Sequence, residues 1–162
     1  MRRLILLRHG EAERRALGGG DLDRKLTPQG TADAAAAGRA IAALGLQPTV
    51  ALVSIATRTV ETWEAAAPAF PNCQPQFLRA LYDADEQRLW EQFGACGVET
   101  VILVGHNPGI HNLAAGLAQR AGGPLAQKLA RDFPPAAVAI FHVEAGSVAV
   151  EAVIFPGDEA AA

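Results

Sequence analysis

A chain of 162 residues is long enough to enclose one sizeable core and short for two. Half of its residues are apolar and 19% are charged, which is the balance of a folded globular chain and excludes general disorder. The formal net charge of −3 gives no overall attraction to nucleic acid or to an anionic membrane, so any anion site must come from a local cluster of bases.

Met1-Arg2-Arg3 has the charge of a signal peptide's first segment, but the four apolar residues Leu4–Leu7 that follow are too few for its apolar segment. Arg8 and His9 then interrupt the run, and no apolar stretch approaches the ~20 residues that span a bilayer. A cytoplasmic protein with no membrane partner is the expectation. Cys73 and Cys96 form neither a CxxC pair nor a Cys/His ligand set, so reduced structural thiols are expected instead of a disulfide scaffold or a zinc site.

Leu4–Leu7 is the first of three short apolar runs. Gly18-Gly19-Gly20-Asp21 follows as a mobile loop or plain turn. Thr27-Pro28 then opens a helix, with Thr27 as N-cap, Pro28 at the first helical position and Gly45 near its end. Val50–Val53 is the second run, and a helix from about Thr57 stops before Pro68. A third helix is predicted over about Ala84–Phe93. Val101–Val104 is the third run, and a fourth helix is predicted from Pro108 to about Arg120. The three runs lack alternation, as strands buried on both faces do. Ala137–Val143 and Ser147–Phe155, split by Glu144-Ala145-Gly146, read as a hairpin. With no linker or repeat in between, the expectation is one α/β domain over residues 1–162. It has a mainly parallel central sheet, helices on both faces and an antiparallel C-terminal edge hairpin.

Each buried run is followed at once by polar residues of one chemical kind. Arg8-His9 follows the first, Ser54 and Arg58 the second, His106-Asn107 the third. Parallel strands bring these residues to one carboxyl edge, where α/β sheets bind ligands. Two arginines and two histidines in one cluster suit a phosphate dianion, since Arg offers a planar fork of donors and His can donate or attack. Singly, Arg58 reads equally well as a solvated residue in a helix's first turn, and His106 as a cap or core residue. Their coincidence at successive strand ends is what points to chemistry. Backbone N–H groups after Pro108 could also meet an anion.

Leu7-Arg8-His9-Gly10, Ser54-x-x-x-Arg58-x-x-x-Thr62 and Gly105-His106-Asn107-Pro108 together resemble the histidine phosphatase superfamily. The short length, Arg24-Lys25-Leu26-Thr27-x-x-Gly30 and Leu81-Tyr82-Asp83 resemble its SixA-type phosphohistidine phosphatases. Ile55 departs from the Pro that usually follows the Ser of the second motif. The resemblance implies a phosphoglycerate mutase-like fold and a phosphatase that needs no cofactor and no metal. His9 would be the nucleophile, with Arg8, Arg58 and His106 gripping the phosphoryl oxygens and Arg24 at the pocket rim or solvated. Larger members carry a Glu after a strand like Phe77–Leu81 as proton donor. Here Asp83 is the candidate general acid, with helix capping as its other reading. The implied partner is a phosphorylated protein carrying phosphohistidine. A phosphatase of small phosphorylated metabolites, a mutase and a non-catalytic phospho-ligand module are the alternatives. Monomer and weak dimer both fit the Ala-rich helix faces.

Glu11 and Glu13 read as solvated, His111 as structural or exposed, and Trp63 and Trp90 as packing residues. Gly18-Gly19-Gly20 lacks the strand-Gly-helix context of a nucleotide loop.

Overall fold

The computed structural model describes residues 1–158. Six strands, β1 (Arg2–Arg8), β2 (Val50–Ser54), β3 (Gln74–Leu78), β4 (Thr100–Gly105), β5 (Val138–Glu144) and β6 (Ser147–Ile154), form one sheet in the order β3-β2-β4-β1-β5-β6. The first four are parallel, and β5 and β6 run antiparallel at one side, with a register shift at Ile140/Phe141. The expected sheet and its antiparallel C-terminal hairpin are both present.

Among the described residues five α-helices flank the sheet: α1 (Pro28–Ala43), α2 (Thr57–Ala66), α3 (Glu86–Ala95), α4 (Gly109–Ala121) and α5 (Pro124–Arg131). The apolar runs show why two faces are covered. Leu4, Leu6, Leu52, Val101 and Leu103 point to the side that holds Leu89, Phe93, Ile110, Leu117 and Leu129 of α3, α4 and α5. Ile5, Leu7, Ala51, Val53, Ile102 and Val104 point to the other side, against Ala37, Ile41 and Trp63 of α1 and α2. With period-two side chains and both faces apolar, the strands cannot alternate with polar residues. The chain moves from β1 to β2 to β3 in one direction and returns to β4 in the other. A right-handed crossover therefore changes faces after β3, which is where α3 and α4 switch sides.

Local signals explain the helix ends. Thr27 accepts a hydrogen bond from Gly30 N at 3.0 Å and Pro28 takes the first helical position, so α1 begins as predicted. The third helix begins at Glu86, two residues later than predicted, because the Asp85 carboxylate accepts from Arg88 N at 2.9 Å. The fourth begins at Gly109, with Pro108 just outside it. One helix was not expected and one strand is shifted. Helix α5 follows Gly122-Gly123, and the strand expected near Phe77–Leu81 is instead β3, with Arg79–Leu81 in a single 3₁₀ turn.

Candidate active site

Strand register sets the site. Leu7 pairs with Val104 and Arg8 with Gly105, while Val53 of β2 pairs with the same Val104. Three neighbouring strands therefore end level, and His9, His106 and Ser54 emerge side by side. The His9 and His106 ring centres are 5.4 Å apart, and His9 N donates to Gly105 O at 3.1 Å.

The glycines and threonines of the motifs hold this edge together. A Cβ on Gly10 would lie 2.5 Å from Gly30 O, and one on Gly30 would lie 2.0 Å from Glu11 O. Only two glycines let the loop after β1 lie against the first turn of α1. Gly10 N donates to Thr62 Oγ1 at 3.0 Å, and Thr62 Oγ1 donates to Arg58 O at 2.7 Å. The Arg-x-x-x-Thr spacing thus ties α2 to the loop that carries His9. The Ser54 carbonyl accepts from Thr59 Oγ1 at 2.8 Å, which fixes the start of α2 despite Ile55 at the usual Pro position.

His9 is 8% exposed, and its Nδ1 lies 2.7 Å from Gly10 O. A carbonyl can only accept, so Nδ1 carries the proton and Nε2 keeps its lone pair. Burial pushes the His9 pKa down to about 4, with the Arg8, Arg58 and Arg24 charges adding to that effect and the Gly10 hydrogen bond opposing it. His106 is pushed down to about 3, first by burial and then by His9 and Arg58. Its Nε2 lies 2.8 Å from Ser54 Oγ. At neutral pH both rings are uncharged.

Arg8 donates from Nη1 to Phe133 O at 3.0 Å, and Asn107 Nδ2 donates to the same carbonyl at 3.0 Å. Burial lowers the Arg8 pKa, and Asp132 partly offsets this. Arg58 is buried and donates from Nη1 to Asp21 O at 2.8 Å and from Nη2 to Asp21 Oδ2 at 3.1 Å. Arg24 Nε lies 3.2 Å from Asp21 Oδ1. Among the described residues, Arg8 Nε, Arg58 Nε and His106 Nδ1 are buried atoms without a protein partner. Orphaned buried donors of this kind need an acceptor, and an oxyanion supplies several at once.

Beside them lies a cleft of about 380 Å³ whose lining includes Arg58, Tyr82, Asp83, His106 and Asn107. Gly109 forms part of its wall, and a Cβ there would lie 2.1 Å from Ala84 O. This close contact seats the segment around Asp83 against the start of α4. Asp83 is exposed at the cleft, and the capping role that the sequence also offered it belongs to Asp85. The amides after Pro108 are in part committed, since Ile110 N donates to His106 O and Asn112 N to Pro108 O.

The sequence reading placed Arg8, His9, Arg58 and His106 together, and the fold brings them to one sheet edge; Arg24, read as at the rim or solvated, reaches the cluster through Asp21. That reading missed Asp21, which joins Arg58, Arg24 and the Tyr82 hydroxyl. The end of the Gly-rich loop is therefore anchored in the site. It also missed Ser54 as the His106 partner, although Ser54 stands in the second motif. His111 donates from Nε2 to Leu129 O and stacks on Phe133, a packing role. Trp63 stacks on Phe70 in the core.

The sequence model of the histidine phosphatase superfamily (branch 1) matches residues 4–93, more than half of the chain. The chain belongs to the histidine phosphatase superfamily. Its architecture is of the SixA type. A protein from Agrobacterium tumefaciens assigned as phosphohistidine phosphatase SixA superposes with a TM-score of 0.84 at 27% identity, over 96% of this chain and 99% of that one. A SixA structure in complex with tungstate shares the fold with a TM-score of 0.80 at 21% identity, over 96% and 97% of the two chains. An uncharacterized chloroplastic protein of Arabidopsis thaliana is 32% identical over 129 residues, which cover 72% of this chain and 59% of the plant protein. A 2,3-bisphosphoglycerate-dependent phosphoglycerate mutase of Novosphingobium aromaticivorans is 41% identical over 73 residues, covering 43% of this chain and 31% of the mutase. The chain thus spans about three fifths of the plant relative and under a third of the mutase.

Proposed function

We propose that this histidine phosphatase superfamily member is a metal-independent phosphatase that acts through a phospho-His9 intermediate. The observation that carries the reading is His9 itself, with its Nδ1 proton committed to Gly10 O and its Nε2 lone pair free among arginines. Nε2 attacks phosphorus in line, the bond from phosphorus to the leaving group breaks, and the leaving group takes its electron pair. Water then gives a proton to the carboxylate that protonated the leaving atom and attacks the phosphoryl group on Nε2; the P–N bond breaks, its electron pair returns to Nε2, and inorganic phosphate and neutral His9 result. Splitting the transfer in this way replaces one difficult step with two easier ones.

Arg8, Arg58 and His106 hold the phosphoryl oxygens through the donors that lack protein partners, and they stabilise the charge passing through the transition state. Ser54 can donate to His106 Nε2, which puts the ring proton on Nδ1, where it can donate to a phosphoryl oxygen. Arg24 stands at the rim. Asp83, exposed at the cleft, is the group that protonates the leaving atom. An imidazole leaving group needs less protonation than an alkoxide, which suits an acid this open to solvent.

Phosphohistidine on a partner protein, in the cytoplasm, is the substrate this reading favours. The likeness to SixA-assigned structures over nearly the full length of both chains supports it. The test is to follow phosphate release from a phosphohistidine-bearing carrier domain and from an aryl phosphate, with and without a chelator. Faster release from the carrier, insensitive to chelator, is expected. Turnover of a small phosphate ester alone, or none with either substrate, would overturn the substrate assignment or the enzyme assignment respectively.

A further inference from the structure

Asp21 presents an oddity of charge. A carboxylate lies directly on Arg58, the arginine that should be kept for a dianion, and it draws in Arg24 as well. The Asp21 side chain is 54% exposed while that of Arg58 is 7% exposed, so the contact is made at the mouth of the site onto a buried cation. An acid there could be an internal anion that blocks the cradle, or a brace for the guanidinium.

The donor geometry separates the two. Asp21 takes Nη1 with its backbone oxygen and Nη2 with Oδ2, which is the outer end of the guanidinium fork. Nε is buried with no protein partner and the second Nη2 hydrogen lies beside it, the pair of donors that suits two phosphate oxygens in a bidentate manner. A blocking anion would occupy that edge of the guanidinium, and Asp21 leaves its Nε open. Two further contacts hold Asp21 in turn. The Tyr82 hydroxyl donates to Oδ2, and the Tyr82 ring stands edge-on to His106 with centres 5.7 Å apart. Gly20 N donates to Asp23 Oδ2 at 3.2 Å, which fixes the single 3₁₀ turn Asp21–Asp23.

We propose that Asp21 is a positioning residue that grips the outer fork of Arg58, is held in place by Tyr82, and so keeps the Nε–Nη2 edge presented to the phosphoryl group. This rests on the phosphate-site reading above. It adds a carboxylate whose effect on oxyanion affinity has the opposite sign to that expected from its charge. By charge alone, removing Asp21 should tighten binding of a dianion; by positioning, it should weaken binding.

The experiment compares wild type, Asp21→Asn, Asp21→Ala and Tyr82→Phe for affinity to tungstate and inorganic phosphate and for kcat and KM on an aryl phosphate. Circular dichroism and Tm monitor folding, which an exposed side chain should barely affect. Expected is a loss of about 10- to 100-fold in kcat/KM for Asp21→Ala with weaker tungstate binding, the range that misplacement of a reacting contact produces. Smaller losses are expected for Asp21→Asn, which keeps an oxygen acceptor, and for Tyr82→Phe. In an Arg58→Lys background, whose ammonium has no fork to orient, Asp21→Ala should cost little more, a non-additivity that a merely structural role would not give. Tighter tungstate binding by Asp21→Ala, unchanged kinetics, or full additivity with Arg58→Lys overturns the proposal while leaving the phosphatase reading standing. A wild type that binds neither oxyanion and turns over no phosphate ester overturns both. If tungstate binds and weakens in the variants but wild type shows no turnover, the positioning role stands and the enzymatic reading falls.

Discussion

Acid should destabilise this protein through His9 and His106, both held below their ordinary pKa, and the size of the His9 share follows from its surroundings. In the unfolded chain the imidazole titrates near its ordinary value of 6.5, whereas burial among Arg8, Arg58 and Arg24 holds it at about 4 in the fold. Between those values the unfolded chain binds a proton that the folded chain refuses. Stability is therefore complete above about pH 6.5 and declines as the pH falls towards 4. At about 1.36 kcal/mol per pH unit of difference, the part due to His9 is about 2 kcal/mol by pH 5 and about 3 kcal/mol by pH 4. Urea unfolding of wild type and His9→Asn at pH 7, 6, 5 and 4 measures it, because asparagine does not titrate. The wild-type curve should fall away from the variant's below pH 6.5 by those amounts. Parallel curves would mean that the imidazole is not held neutral by burial, and the tautomer argument for its nucleophilic nitrogen would lose its footing.

Ser54→Ala removes the hydroxyl that meets His106 Nε2 and should lower kcat/KM by about 3- to 10-fold, the worth of one neutral hydrogen bond, with little change in Tm. Gly109→Ala forces a Cβ against Ala84 O and should destabilise the fold by about 1–3 kcal/mol, read by urea unfolding, while also impairing turnover through the Asp83 segment. Thr27→Ala deletes the α1 N-cap and should lower unfolding free energy by about 1 kcal/mol. Asp83→Asn should slow hydrolysis of an aryl or alkyl phosphate more than that of phosphohistidine, since the imidazole leaving group needs the acid less; equal slowing argues against an acid role.

Most of the architecture was legible because the buried strands announce themselves. Leu4–Leu7, Val50–Val53 and Val101–Val104 are apolar on both faces, and Arg8-His9, Ser54 and His106 follow them directly, so parallel pairing alone predicts their meeting. Thr27-Pro28 carried its helix start in local chemistry. Strand β3 was less visible because it lies at the sheet edge with the polar, Pro-containing sequence Gln74–Leu78, exposed along most of its length. Helix α5 is eight residues long and buries only Leu129, too little periodicity to stand out, although Gly122-Gly123-Pro124 marks its start. Asp21 could not be found by spacing. It meets Arg58 across 37 residues and Tyr82 across 61, through a 3₁₀ turn at the end of a glycine run, and nothing local in the sequence signals a tertiary ion pair.

The central claim is that the phosphoryl group passes through His9. Rapid quenching of the enzyme with a radiolabelled phosphoryl donor, followed by peptide mapping, tests it directly. One acid-labile, base-stable phosphoryl group is expected on the peptide containing Arg8-His9-Gly10, formed before phosphate is released and absent from His9→Ala, which should be inactive. Label on another residue, or wild-type turnover by His9→Ala, would contradict it.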